Sequence, residues 1–442
     1  MPTFIVRSLA LLLAAATPAL AVPVIDGGIH YLLPDDQRTI PITVRGDDLV
    51  EGIDFYLQLD DGGVVNGGTA TSPKITAIDL IGPGTLFSQS NTGSQATHLP
   101  DSGGTYLIWA DWITTQPSDS PLSATGTLAY ITLDTTGASA SDVPYTLSFD
   151  NVAANYAPPG FDTDFADLAA TIHSGSIIVT ELRDLTWNAG RDGNWTETTW
   201  DGSVPGYPTC PNYTSRAIVN TPYQVQVDSA QEANQLTLSD GGQVVIGATD
   251  ALAVTTTVNV NSGGILSLVS GAGLSAASIN LAGGTISGSG TVNPSVSLAG
   301  GFLDAPTLSD TLILENALEG TGGMTKTGLG TVTLKDNATY TGSTIIQAGL
   351  LQLQGAASTL SDVSGGGTLQ VGGGIASASL TAESISVGSL IIGSGSRITI
   401  SPSGVSPAGG NASLVPEPST VVLTIGAGLG LLFLCGRRKD RE

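Results

Sequence analysis

The sequence predicts an all-β protein of two unlike halves: a jelly-roll β-sandwich over residues 22–181 and a right-handed parallel β-helix over residues 182–413. Three observations carry that prediction. Glycine is abundant at 58 residues while aromatics make up 5% and charged residues 12%, a mixture too apolar for disorder and too rich in glycine for helices. In the first half, apolar and polar residues alternate with the period of two that a half-buried strand requires. In the second half, glycine pairs and short apolar triplets recur about every 20 residues, the period of a stacked coil.

The first 21 residues are set apart from both halves. Arg7, an apolar run from Leu9 to Ala16 and the small-x-small sequence Ala19-Leu20-Ala21 predict a secretory signal, so the mature chain is expected to begin near Val22. Within the sandwich, Phe55, Leu57 and Leu59 alternate with Tyr56, Gln58 and Asp60, and Tyr145, Leu147 and Phe149 alternate with Thr146, Ser148 and Asp150. Ile40-Pro41-Ile42-Thr43-Val44, Thr105-Tyr106-Leu107-Ile108-Trp109 and a run from Gly126 to Leu133 add further short strands, separated by Gly, Asp and Pro turns. The order of these segments, closed by Ser174-Gly175-Ser176-Ile177-Ile178-Val179, resembles a cohesin-type jelly roll. That resemblance implies a recognition module, with a dockerin-like protein or a carbohydrate as partner, and assigns no contact residue.

A boundary follows Glu181. Trp187, Trp195 and Trp200 place three of the five tryptophans within fourteen residues. They suit either a surface that stacks on sugar rings or a buried cap on the end of a repeat array, and the cap is favoured because solenoids need atypical end repeats. Glycine pairs then begin at Gly241, Gly263, Gly283, Gly300 and Gly322. Around them recur triplets such as Leu236-Thr237-Leu238, Val258-Asn259-Val260, Val332-Thr333-Leu334 and Ile385-Ser386-Val387. Each triplet reads as one brief strand with two inward apolar residues, and about 220 residues at roughly 20 per coil predict about eleven coils. Within this rod, Gly322 to Leu334 with its Lys326-Thr327-Gly328-Leu329-Gly330 segment, Tyr340-Thr341-Gly342 and Gly349 to Leu353 resemble the autotransporter-associated β-strand repeat, over about residues 322–355. In that family the repeat builds extracellular stalks, which implies a rod here.

The last segment, 414–442, is a sorting signal in its own right. Val415-Pro416-Glu417-Pro418 precedes an apolar run over 421–435, then Arg437-Arg438-Lys439. Fifteen apolar residues make a helix of about 22 Å, slightly short of a bilayer core of about 30 Å. The basic cluster behind it stays cytoplasmic, so everything before Pro416 lies outside the cytoplasm. This order of parts resembles the PEP-CTERM tail, whose family implies export and cutting at the Pro416-Glu417-Pro418 segment by an exosortase. The processing residues are then Ala19 and Ala21 at one end and Pro416, Glu417, Pro418, Arg437 and Arg438 at the other. The precursor is expected to insert transiently in a membrane through the 421–435 helix; a permanent anchor is the alternative.

Charge narrows the partners. The chain carries a formal charge of −24, and loss of both ends, which takes five basic and two acidic residues, leaves it near −27. Such a surface repels nucleic acid and anionic lipid and favours divalent cations or neutral polymers. Cys210 is the sole cysteine left after tail removal, so no internal disulfide forms. Asp162, Asp164 and Asp167 have the spacing of calcium ligands, set against the reading of them as solvated loop acids; no other cofactor is expected. Asp35-Asp36, Asp47-Asp48 and Asp60-Asp61 read as turn acids.

Catalysis is not expected. His30, His98 and His173 all fall in the first half, and the six bases of the rod, Arg183, Arg191, Arg216, Lys326, Lys335 and Arg397, form no cluster along the chain. The expected function is that of an exported surface or extracellular-matrix protein, adhesive or structural, with a recognition head on a rod. A polysaccharide lyase or hydrolase of the same matrix and a true cohesin scaffold are the competing readings.

Overall fold

The structure is a computed structural model that describes residues 23–46, 49–50, 52–60, 73–88, 96–98, 107–114, 122–141, 143–156, 166–169, 171–202, 208–373, 377–401 and 422–423. The chain divides after Glu181 into two compact units, and every regular element described in either is a β-strand. Among the described residues no helix is long and apolar enough to cross a membrane. Most of the helix expected over 421–435 lies outside them. Its two described residues, Val422–Leu423, pair antiparallel with the Arg397–Ile400 strand.

The first unit is a sandwich of two sheets. One orders its strands Thr171–His173, Val24–Asp26, Gln37–Arg45, Gly126–Asp134 and Lys74–Asp79. The other runs Ile29–Leu32, Gly175–Val179, Tyr145–Tyr156, Gly52–Leu59, Leu107–Thr114 and Ala96–His98, with Ala166–Ala169 added on Tyr145–Tyr156. The period-two alternation places Ile40, Ile42 and Val44 of the first sheet and Leu57, Leu59 and Leu147 of the second in one shared core, each at most 5% exposed.

One feature of the sandwich departs from the short antiparallel strands expected. Val24–Asp26 runs parallel to Thr171–His173, and Ile29–Leu32 runs parallel to Gly175–Val179. The opening and closing stretches of the unit therefore pass from one sheet to the other side by side. Glycine on both makes the close passage feasible, since a Cβ on Gly27 would lie 2.5 Å from the Gly175 amide nitrogen.

The second unit is a parallel β-solenoid of about nine turns. Eleven were expected from length. The difference lies at the ends: the first pairing, Arg183–Trp187 with Ser215–Val219, spans 32 residues rather than about 20, and residues beyond Ser401 lie outside the described strands apart from Val422–Leu423. The later turns stack three walls. Val258, Ile279, Val296 and Leu318 succeed one another on the first wall, Leu266, Ile286 and Leu303 on the second, and Leu312, Val332, Leu351 and Leu369 on the third. These side chains are no more than 1% exposed and belong to a single core that runs from Leu185 to Ile398.

The glycine pairs mark the corner between the first and second walls, where one coil rests on the backbone of the coil before it. The Gly241 amide donates to the Gly263 carbonyl at 3.1 Å, and a Cβ on Gly264 would sit 2.5 Å from the Leu238 carbonyl carbon. At Gly242 a Cβ would overlap the Val219 carbonyl outright. Gly242→Val is therefore expected to destabilise the solenoid by about 2–3 kcal/mol, through overpacking that only backbone movement relieves. Denaturant unfolding monitored by circular dichroism checks this; an unchanged midpoint would mean that the corner gives way freely.

Candidate functional site

The sites suggested by sequence lie only in part among the described residues. Among the described residues, no three of His, Cys, Asp and Glu gather as a metal-holding set. Of the expected calcium ligands, Asp162 and Asp164 lie outside the described residues, and Asp167 stands in the Ala166–Ala169 strand opposite Asn155. Two of the described turn acids serve the backbone: Asp35, at a left-handed φ of 53°, accepts from the Gly137 amide at 2.9 Å, and Asp36 accepts from the Gln37 amide at 2.8 Å. His30 is half-buried with Nε2 2.8 Å from the Gly27 carbonyl oxygen, and burial pulls its pKa below the usual histidine value. The remaining processing residues, Ala19, Ala21, Pro416, Glu417, Pro418, Arg437 and Arg438, all lie outside the described residues.

What the structure does assemble is a closed end and a reinforced wall on the solenoid. Trp187, Trp195 and Trp200 are 0%, 0% and 2% exposed. Trp200 packs edge-on against both others, with ring centroids 5.2 and 5.3 Å apart at interplanar angles of 74° and 60°, the arrangement favoured by the ring quadrupole. Every indole N–H finds a carbonyl: Trp187 donates to Arg191 at 3.1 Å, Trp195 to Pro211 at 3.2 Å and Trp200 to Trp195 at 2.9 Å. These rings offer no face to a sugar. They are the cap on the first turn, and the stacking alternative falls for all three.

The loop around the cap is pinned by charge. Glu197 accepts from Arg191 Nη2 at 2.6 Å and from the Asn194 amide at 2.9 Å, which together hold its carboxyl below the usual range. Arg216 pairs with Asp184 across the first pairing, Arg183–Trp187 with Ser215–Val219, and Lys335 Nζ lies 2.6 Å from Glu315 one coil away. All three pairs are at least partly exposed, so each adds little to stability.

Lys326 is different. It occupies an inward position of the second wall, between Leu303 on the coil before and Ile346 on the coil after, and is 0% exposed. Its Nζ donates to the carbonyl oxygens of Thr327 at 2.6 Å and Gly328 at 2.7 Å. Burial lowers the lysine pKa, and Asp304 nearby opposes that shift. Asp304 in turn accepts from Thr327 Oγ1 at 2.7 Å and Ser287 Oγ at 3.1 Å, tying three coils together.

The glycines that follow Lys326 are explained by the next corner, between the second and third walls. Gly328 has a φ of +72°, and a Cβ there would overlap the Ala305 carbonyl. At Gly349 a Cβ would come within 2.7 Å of Lys326 Nζ. Tyr340 is also in the core, its hydroxyl 2.6 Å from Thr344 Oγ1, with burial pushing its pKa far up. The sequence marked Lys326 as a scattered base and as part of a repeat pattern. Its inward position was visible only from register: it falls where the neighbouring coils carry Leu303 and Ile346.

Comparison with known proteins gives these segments a context. Residues 324–353 match the passenger-associated-transport-repeat family, and residues 414–439 match the PEP-CTERM protein-sorting motif. The first match coincides with the Lys326 and Tyr340 coils. The pair of matches indicates an exported, cell-surface-associated protein. No curated protein matches the chain.

Solved structures similar to the chain include cohesins. A non-cellulosomal cohesin from the hyperthermophilic archaeon Archaeoglobus fulgidus is 14% identical, with 36% of this chain and 93% of that one covered and a TM-score of 0.27. The seventh ScaB type I cohesin from Pseudobacteroides cellulosolvens is 16% identical over 36% of this chain and 92% of its own, again at 0.27. The third ScaC cohesin from Acetivibrio cellulolyticus, solved with the ScaB dockerin, is 15% identical over 36% and 99%, also at 0.27. At that level of similarity the sandwich fold is read from its own two sheets.

Proposed function

We propose that this protein is a structural component of a bacterial cell surface or extracellular matrix, released by an exosortase that cuts at Pro416-Glu417-Pro418, with the sandwich as a recognition head and the solenoid as a rod. The observation that carries the reading is the sorting motif over 414–439, which follows a solenoid with one continuous apolar core. A rod of this kind suits the outside of a cell. Its backbone is consumed in wall-to-wall pairing, its core is sealed at the first turn, and it holds its shape without a disulfide.

The head recognises an extracellular polysaccharide or a dockerin-like protein in this reading, and the rod works without catalysis. Four of the rod's six bases support the second point, since Arg191 and Lys335 are engaged with Glu197 and Glu315, Arg216 with Asp184, and Lys326 with backbone. Incubation with acidic polysaccharides should yield no new reducing or unsaturated ends; their appearance would turn the reading to a matrix enzyme.

The sorting step has its own test. Alanine at all three of Pro416, Glu417 and Pro418 should hold the protein in the membrane fraction of its own cells with the tail still attached. Normal release of that variant would sink the exosortase reading.

A further inference from the structure

The outward face of the second wall carries apolar side chains that the solenoid core does not use. Phe302 and Ile345 are each 39% exposed, although the residues that follow them, Leu303 and Ile346, are fully buried. Register places the exposed pair in one column. Ile265, Thr285, Phe302, Thr325 and Ile345 are successive partners on five neighbouring coils. An apolar residue therefore stands on every second coil, about 9.6 Å apart at about 4.8 Å per coil, with a threonine between. The column lies beside bare backbone. Glycine pairs precede Ile265, Thr285 and Phe302, and a Cβ on Gly264, Gly284 or Gly301 would come within 2.6 Å of the coil before.

Charge sets the limits of this stripe. The column and the corner residues before it, 261–265, 282–285, 299–302, 321–325 and 341–345, hold no charged side chain. Acids flank it. Exposed Asp240 and Asp362 lie just before Gln243 and Ser364, the column positions one coil beyond either end, and half-buried Asp304 stands on the next outward column.

We propose that this stripe joins two copies of the chain side by side, with the solenoids parallel and related by a two-fold axis along them. Two observations select a second copy. An uncharged stripe is where two chains, each with a formal charge of −24, approach with least repulsion, whereas a cationic partner has the acidic remainder of the surface to bind. The order Ile-Thr-Phe-Thr-Ile is also self-complementary: each apolar residue meets its own counterpart, and so does each threonine. The direction of the pair follows from Asp304. A two-fold along the rod puts the two Asp304 side chains on opposite flanks of the seam, while one across the rod sets them face to face.

The size of the contact decides its strength. Four coil steps of about 4.8 Å by a strand width of about 13 Å cover about 250 Å² on each copy. That is well below the roughly 800 Å² per partner of a stable pair. Two rods alone therefore pair weakly, and the contact takes hold where many copies are crowded, as in a surface layer. This pairing goes beyond the reading of the chain as an exported rod and holds whether or not the tail is cut.

The test is site-directed cross-linking of the concentrated full chain, with Cys210→Ser and Cys435→Ser to remove its two native thiols. Thr285→Cys and Thr325→Cys, each on its own, should give covalent dimers with a short bismaleimide. Adding Phe302→Asp, which sets a charge in the seam, should lower either yield about tenfold. Thr331→Cys, on the third wall, should give no dimer, and it controls for association through the tail or the sandwich because it carries both. Equal yields at all three positions, or none at Thr285 and Thr325, would overturn the proposal. So would dimers formed only when the Thr285→Cys and Thr325→Cys chains are mixed, the sign of antiparallel rods, or yields that Phe302→Asp leaves unchanged.

Discussion

Alanine at Trp195 lowers the stability of the solenoid by about 4 kcal/mol, the cost of removing a fully buried indole and leaving a cavity. The ring is 0% exposed, packs edge-on against Trp200 and donates to the Pro211 carbonyl, so the substitution removes packing, a ring contact and a hydrogen bond at once. The loss is not spread evenly. In a solenoid each coil is stabilised by its neighbours, so the first turn should open while distant coils hold. Hydrogen exchange should then show Ser215–Val219 unprotected and Thr331–Leu334 unchanged. Uniform loss along the whole unit would mean that the tryptophans nucleate the solenoid rather than cap it.

The second large effect is expected at Lys326. Methionine keeps most of the apolar stem but leaves the Thr327 and Gly328 carbonyls without the ammonium that joins them, at a cost of about 2–3 kcal/mol. Alanine adds a cavity between Leu303 and Ile346 and should cost about 4 kcal/mol. The exposed Lys335 is the control: Lys335→Met breaks only its pair with Glu315 and should change stability by less than about 1 kcal/mol. Denaturant midpoints for the three variants check the order. Equal, small effects at both lysines would show that the buried ammonium contributes nothing beyond its stem.

Much of this architecture was legible in the residues because each signal is local. Leu57, Leu59 and Leu147 alternate with polar neighbours, and the alternation alone puts them inside. The triplets around Val258 and Leu266 fix both the strand and its two inward positions. The glycine pairs fix the corner. What could not be read is what depends on partners far along the chain. The parallel closure of the sandwich joins Val24 to Thr171, and no pattern at either place announces the other.

The sites divide in the same way. Three tryptophans in fourteen residues announced a cluster, but only their burial decided between cap and sugar platform. Lys326 appeared among six scattered bases, and its role emerged when the register set it in a column of aliphatic residues.

The central claim is that an exported chain is cut free of its sorting tail and works outside the cell. The most direct test is the intact mass and location of the native protein from its own cells. The account predicts a mass that begins near Val22 and ends near Pro416, found in the outer surface or matrix fraction. A full-length tail, with the protein held in the inner membrane, would contradict it and make this an anchored periplasmic protein.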